Sequence, residues 1–272
     1  MNATLTIMRK ELRDATRSRW LVMYAVAFAL IALAFGVVQE QGDVGAQGFN
    51  RTTASIINLC ILLVPLLALV IGAGSIAGER DRGTMTTLLS QPLTPTELLI
   101  GKYLGLTIAA WIAVALGFGA AGMLLALVSP VTDFGHYLLF IVLSGALASA
   151  MLSIGMLISV LSDGRAKALA ISVLAWFGFV LFYDLAAMGV ALSLTSSGES
   201  LLVAAVANPV ESVRILAILS LEPDLNVLGP LGAYLKTQFG TAGSSMLLSL
   251  AVLFWAAVPM TAATFVFRKQ DV

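Results

Sequence analysis

Six stretches of this chain, at about 20–38, 54–77, 98–128, 137–161, 168–193 and 246–267, run apolar for about 20 residues or more with almost no charge. Nothing else in the sequence limits the fold as much. A lipid core offers no water to an exposed amide or carbonyl, so a segment of this kind crosses as a helix that satisfies its own backbone. The 272 residues are 59% hydrophobic and only 11% charged, with a mean hydropathy of +0.98. That composition belongs to an integral membrane protein and not to a soluble domain. The expected fold is an all-α membrane protein, one transmembrane domain over 1–272 with six spans. The third run is too long for a simple crossing, which predicts a cytoplasmic extension or a strong tilt.

The bases orient the spans. With the N-terminus inside, twelve of the fifteen Lys and Arg fall on inner segments, and only Arg51, Arg214 and Lys236 fall outside. The positive-inside rule then puts both termini in the cytoplasm. The formal net charge is zero, so no basic footprint points to nucleic acid. Residues Thr4 to Arg19 read as an amphipathic helix. Leu5, Met8, Leu12 and Ala15 share one face beside a row of Arg9, Arg13 and Arg17, which suits a helix in the headgroup plane on anionic lipid. The apolar run that follows is long enough to span, and Val37-Val38-Gln39 offers no signal-peptide cleavage site.

Polar residues inside the spans are few. Asp184 is the acid that lies well inside one, about three quarters along the fifth. A carboxylate at mid-membrane costs on the order of 3 kcal/mol, less near an end. It reads as an ion or substrate contact, or as an interfacial or dimer-contact residue. Asn58 lies near the outer end of the second span, and Pro65 is expected to split and kink that span. Small residues at a spacing of four, Gly101/Gly105, Ala115/Gly119 and Gly145/Ser149, let helices approach closely. Cys60 and His136 each stand alone, so a thiolate or imidazole cluster is missing and no metal site is expected in this chain.

The first inner connector, 78–97, is unusually polar. Glu79, Arg80, Asp81 and Arg82 fit a water-facing bend. Gly83 frees the backbone, and Thr84 is placed to cap a short helix with Met85, Leu88 and Leu89 on one side. Pro92 and Pro95 should stop it. By spacing alone this is either a docking helix or a solvated loop. The second inner loop, Ser162 to Lys167, is short and could make a smaller contact with a cytoplasmic partner.

The outer connector, 195–245, is long and only mildly polar. Asn208 reads as an N-cap with Pro209 behind it and Glu211 returning to the cap amide. Val210, Val213, Ile215, Leu216 and Leu219 give the following helix an apolar side, and Glu222-Pro223-Asp224 stops it. Pro230 to Phe239 reads as a second short helix with Gly240 at its end. Such a loop would lie against or dip into the outer leaflet and offer a docking face.

Glu79, Gly83-Thr84, Leu88-Leu89, Pro92 and Gly101-Lys102 resemble the first cytoplasmic loop of ABC type-2 transporter permeases. The resemblance implies that Glu79, Arg82, Gly83, Thr84, Met85, Leu88, Leu89 and Pro92 form a coupling helix against a separate ATPase. It also implies short re-entrant helices between the fifth and sixth spans. Asn208, Pro209, Glu211, Arg214, Ile215 and Leu216 narrow the likeness to NosY-type permeases. So do Phe182-Tyr183-Asp184-Leu185 and the opening Arg9, Lys10, Glu11, Leu12 and Asp14. That resemblance implies a homodimer in the bacterial inner membrane, serving maturation of the copper centres of nitrous oxide reductase in denitrification. The implied partners are a NosF-like ATPase dimer that binds ATP and Mg, a periplasmic NosD-like repeat protein and a NosL-like copper lipoprotein. Asn208, Pro209, Glu211 and Arg214 would then face the periplasmic partner or form a gate.

The chain has no G-x-x-x-x-G-K-[ST] to cradle ATP itself, so no cofactor and no enzymatic activity are expected of it. It also lacks HExxH and GxSxG, which argues against an intramembrane hydrolase. Two alternatives stand beside the copper-centre reading. One is export of another cargo, such as a drug, a lipid-linked molecule or an ion. The other is a secondary transporter that uses Asp184.

Overall fold

The computed structural model describes residues 3–17, 26, 30, 48–85, 93–128, 134–186, 198–221 and 228–270. Among these the elements are helical throughout: α1 (Ala3–Arg17), α2 (Gly48–Asp81), α3 (Pro95–Val128), α4 (Phe134–Leu161), α5 (Arg165–Trp176), α6 (Gly198–Ala207), α7 (Pro209–Leu221), α8 (Gly229–Gln238) and α9 (Gly240–Lys269). A π-helical segment, Phe177–Phe182, extends α5 without interruption. Five stretches are long and apolar enough to cross a membrane: Ile61–Asp81, Pro95–Ala120, Tyr137–Leu161, Arg165–Ala186 and Gly240–Lys269. They match the second to sixth expected spans. The first, 20–38, lies outside the described residues except for positions 26 and 30.

The bundle is built around α4, which packs on α2, α9, α3 and α7. Its closest approach is to α2. A Cβ on Gly155 would stand 2.6 Å from the Leu69 carbonyl oxygen, and one on Gly72 would stand 2.7 Å from that of Leu152. The two backbones therefore touch, as small residues permit in membranes. The core around this contact includes Val64, Leu69, Leu147, Met151, Leu152 and Ile215.

Several expectations change at the helix ends. The second span does not divide at Pro65; the proline sits inside one continuous helix. Trp176 Nε1 donates to the Leu62 carbonyl at 2.8 Å, in the turn where the proline ring weakens the ladder. Pro95 does not close a helix but opens α3. Thr94 and Glu97 form a reciprocal cap: Thr94 N–H donates to Glu97 Oε2 at 2.9 Å, and Glu97 N–H to Thr94 Oγ1 at 3.2 Å. The signal is present in the sequence as Thr-Pro-Thr-Glu, a capping box with proline at the first helical position.

α1 packs along α3 rather than on lipid alone. Ile7 is buried against Gly101, and Met8 and Glu11 lie over Gly105. Arg9, Arg13 and Arg17 remain exposed on the other side. The 34 residues of α3 span about 51 Å, more than a bilayer core, and α1 accompanies its first part. Gly145 accommodates the Trp111 ring, whose Nε1 donates to Ser149 Oγ at 3.0 Å. Gly119 meets no described atom within 4 Å.

Candidate functional site

Two polar centres lie at opposite ends of the bundle. The first is the end of α2. Glu79, Arg80 and Asp81 belong to the helix and not to a water-facing bend. Successive residues on a helix point about 100° apart, so each of the three reaches a different neighbour. Glu79 Oε1 meets Lys102 Nζ of α3 at 2.7 Å, and the same ammonium meets Glu11 Oε1 of α1 at 2.7 Å. Lys102 is 2% exposed and Glu79 6%. The second oxygen of Glu79, Oε2, is buried with no partner. Arg80 Nη1 donates to the Ser162 carbonyl at 2.5 Å and Nη2 to Gln270 Oε1 at 3.0 Å, joining the ends of α4 and α9. Asp81 Oδ2 accepts from the Arg165 amide at 2.8 Å. It thereby caps α5, whose own N-cap, Gly164, has no side chain to do so. Three adjacent charges thus tie one helix to five others.

The chain leaves α2 through a glycine closure. Gly83 has φ +67°; its amide donates to Arg80 O at 3.1 Å and the Thr84 amide to Glu79 O at 3.1 Å. This is the Schellman arrangement, which favours glycine because a Cβ is strained there. Thr84 Oγ1 also donates to Glu79 O at 3.2 Å, so Thr84 closes the preceding helix; the amides it was expected to cap lie outside the described residues. Asp81, Arg82, Gly83 and Thr84 are exposed. Met85 turns inward, 3% exposed, against a cluster that includes Ile76, Leu98, Leu99 and Phe267. Leu88, Leu89 and Pro92 lie outside the described residues. The expected site therefore divides: Glu79 and Met85 are internal supports, while Arg82, Gly83 and Thr84 face outward. The second inner loop is likewise held from within at Ser162 and Arg165, and its exposed pair is Lys167 with Asp163 at 2.7 Å.

The second centre is at the far end of α5. Arg214 makes a two-pronged pair with Asp184, Nη1–Oδ1 at 2.8 Å and Nη2–Oδ2 at 2.9 Å. Arg214 Nη1 also meets Glu211 Oε2 at 2.7 Å. Glu211 is turned to this arginine one helical turn on, and does not return to the cap amide. Tyr183, Asp184, Ser200, Glu211 and Arg214 line a cavity of about 360 Å³ whose remaining wall is apolar, from Leu201, Ala204 and Leu231. Asn58 is exposed on α2 and is not among the residues lining this cavity.

The helices that build this end were expected to form a docking face, but α7 is core. Asn208 is 2% exposed, and Pro209, Val210, Val213, Ile215, Leu216 and Leu219 are buried. α6 and α7 form a pair bent by 115°, a broken span or re-entrant hairpin. Its backbone groups are satisfied from the surroundings, as burial in a membrane requires. Asn208 Oδ1 accepts from Val210 N–H at 2.9 Å, and Asn208 Nδ2 donates to the Phe179 carbonyl of the π-helical segment at 2.7 Å. Ser212 Oγ and Trp255 Nε1 take the carbonyls of Ala205 and Val206 at 2.9 and 3.1 Å. The predicted cap at Asn208 thus forms, and serves an internal joint. Gly240, with φ +65°, separates α8 from α9 as the pattern indicated.

The charge pattern gave no sign of Lys102 as the partner of Glu79, or of Glu11 as the second carboxylate on that lysine. The available signal was a lysine near the start of an apolar run, which in a membrane protein calls for a counter-charge. Among the described residues, no three His, Cys, Asp or Glu side chains converge to hold a metal ion.

The family described as "ABC-2 family transporter protein" matches residues 5–272. The chain is 30% identical over 282 residues to the "Probable ABC transporter permease protein NosY" of Stutzerimonas stutzeri, covering 99% of each chain. It is 31% identical over 281 residues to the protein of the same name in Pseudomonas aeruginosa, covering 100% of each.

Proposed function

The chain belongs to the ABC-2 transporter family, as a multi-pass membrane permease that works with a partner ATPase, and from that premise we propose how it couples the two. The exposed turn at Arg82, Gly83 and Thr84, with Leu88, Leu89 and Pro92 beyond it, docks on the ATPase. ATP and Mg are bound there, and the permease itself is not an enzyme. Closure of the ATPase dimer moves the turn, and the end of α2 moves with it. The observation that carries this reading is α5. Its first turn is capped by Asp81 and its far end, through Asp184, grips Arg214 of α7. One continuous helix thus joins the inner connector to the outer polar centre, beside the direct packing of α2 on α7.

Full-length similarity to the NosY proteins supports the finer proposal. The chain sits as a homodimer in the bacterial inner membrane with both termini in the cytoplasm. It serves maturation of the copper centres of nitrous oxide reductase, with a NosF-like ATPase dimer, a periplasmic NosD-like repeat protein and a NosL-like copper lipoprotein. A second reading, export of another cargo, is favoured by the cavity at Arg214. The secondary-transporter reading loses its ground, because the family supplies an ATPase and Asp184 is already held by an arginine.

Replacing Leu88 and Leu89 with Asp should leave membrane insertion intact and abolish assembly with the ATPase; a complex of normal stoichiometry and activity would end the docking assignment. Purification of the tagged chain in mild detergent, with each accompanying subunit identified by mass, separates the two readings. An ATPase with a periplasmic repeat protein supports copper-centre maturation. An ATPase alone supports an exporter.

A further inference from the structure

We infer that Ser159 is a positioning residue: its hydroxyl, set into the backbone of α2, fixes the direction of the last turn and so the placement of Glu79, Arg80 and Asp81. Ser159 is on α4 and fully buried. Its Oγ donates to the Ala73 carbonyl at 2.7 Å and accepts from the amides of Ile76 and Ala77 at 3.0 and 2.8 Å. In a regular helix the Ala77 amide pairs with the Ala73 carbonyl. A foreign hydroxyl bridging these two groups is a recognised cause of a local bend. Neighbouring serines behave otherwise: Ser149, Ser162 and Ser172 bond back to carbonyls of their own helix four residues earlier.

Three further features make the contact specific. The backbone approach at Gly72 and Gly155, one turn away, brings α4 close enough for a side chain as short as serine to enter the α2 ladder. Ser75 Oγ takes the Gly72 carbonyl at 2.7 Å, the group that the Ile76 amide meets in a regular helix. Ala73, Ile76 and Ala77 are themselves fully buried, so the hydroxyl meets their backbone groups away from bulk water. The bridge ends two residues before Glu79. A small change of direction here is carried into every contact of the three charges that follow.

The consequence for coupling rests on the docking reading above; the positioning itself does not. Spin labels at Arg82 and Lys269, in a Cys60→Ser background, report the distance between the end of α2 and the end of α9 in the permease alone. Ser159→Ala should shift the mean of that distance beyond the spread of repeated parent measurements. Ser159→Thr, which keeps the hydroxyl, should overlay the parent. Superimposable distributions for parent and Ser159→Ala overturn the inference. In the complex with its ATPase, labels at Lys269 and Leu185, both outside the docking turn, should respond to ATP in the parent and Ser159→Thr, with the response lost in Ser159→Ala. A parent that ignores ATP, alongside a shifted Ser159→Ala permease, would sink the docking reading and support the positioning role.

Discussion

The two polar centres contain the same ingredients and differ in enclosure. At the end of α2, one ammonium serves two carboxylates with almost no water: Lys102 is 2% exposed and Glu79 6%. At the far end of α5, one guanidinium serves two carboxylates beside an open cavity, and the Asp184 side chain is 44% exposed. A buried charge left unpaired costs several kcal/mol, whereas a wet pair is worth little and is weakened by salt. The first centre is therefore a fixed joint. The second is open on its Asp184 side only: Arg214 and Glu211 are 23% and 20% exposed, so Asp184 is the member that water reaches most easily. α5 joins the two and is the least enclosed of the five described spans.

The comparison breaks most readily at Lys102. Lys102→Met leaves Glu11 and Glu79 facing each other without a counter-charge and should destabilise the protein by about 3–5 kcal/mol. Thermal unfolding in detergent measures this. Glu79→Gln should cost much less, because Lys102 and Glu11 then remain as a matched pair. The double variant Lys102→Met/Glu79→Gln should recover part of the loss. Equal effects from the two single variants would show that the joint is held by packing and not by charge.

The outer pair should give a smaller effect with a different signature. Asp184→Asn, which weakens the grip on Arg214, should cost about 1 kcal/mol or less at low ionic strength. Raising the salt to about 1 M, where screening acts over about 3 Å, should erase most of that difference. The Lys102→Met penalty should persist at the same salt. A salt-insensitive Asp184→Asn penalty would mean that this centre is as closed as the other.

The spans were legible because apolar length leaves a chain few choices: five of the six expected runs recur as helices, and the first lies outside the described residues. Asn208 and Gly240 were legible because capping and positive φ are local demands. The role of Glu79-Arg80-Asp81 was not. A run of charges is ordinarily a solvated face, and nothing within the run says that five other helices converge on it. The partners are distant in sequence, Glu79 with Lys102 and Lys102 with Glu11, Arg80 with Gln270, and Asp81 with Arg165. The grip of Arg214 on Asp184 was hidden for the same reason, since hydropathy places the two on different segments and says nothing of their approach. Pro95 is a different case. Its capping box could be read locally, but the same residue also fits a helix stop.

That capping box supplies the next test. Thr94→Ala removes both hydrogen bonds of the hydroxyl, one accepted from the Glu97 amide and one given to Glu97 Oε2, at an exposed helix start and should cost about 1 kcal/mol. Thr94→Ser should cost almost nothing, because the hydroxyl remains.

The smallest effect belongs to Asp163, which shares the inner end with the buried joint but none of its enclosure. The Lys167 ammonium, hydrogen-bonded to it and a nearby opposite charge, holds the Asp163 carboxyl below the usual carboxylate range. A depressed folded-state value means that the pair's contribution is present above the ordinary pKa of an aspartate and disappears as pH falls through the depressed value. Asp163→Asn should therefore show no measurable loss of thermal stability in acid. At neutral pH the change should lie within the scatter of an exposed i,i+4 pair. A clear loss at neutral pH, surviving high salt, would place Asp163 inside the joint, and the contrast between a sealed α2 end and a wet second loop would have to be redrawn.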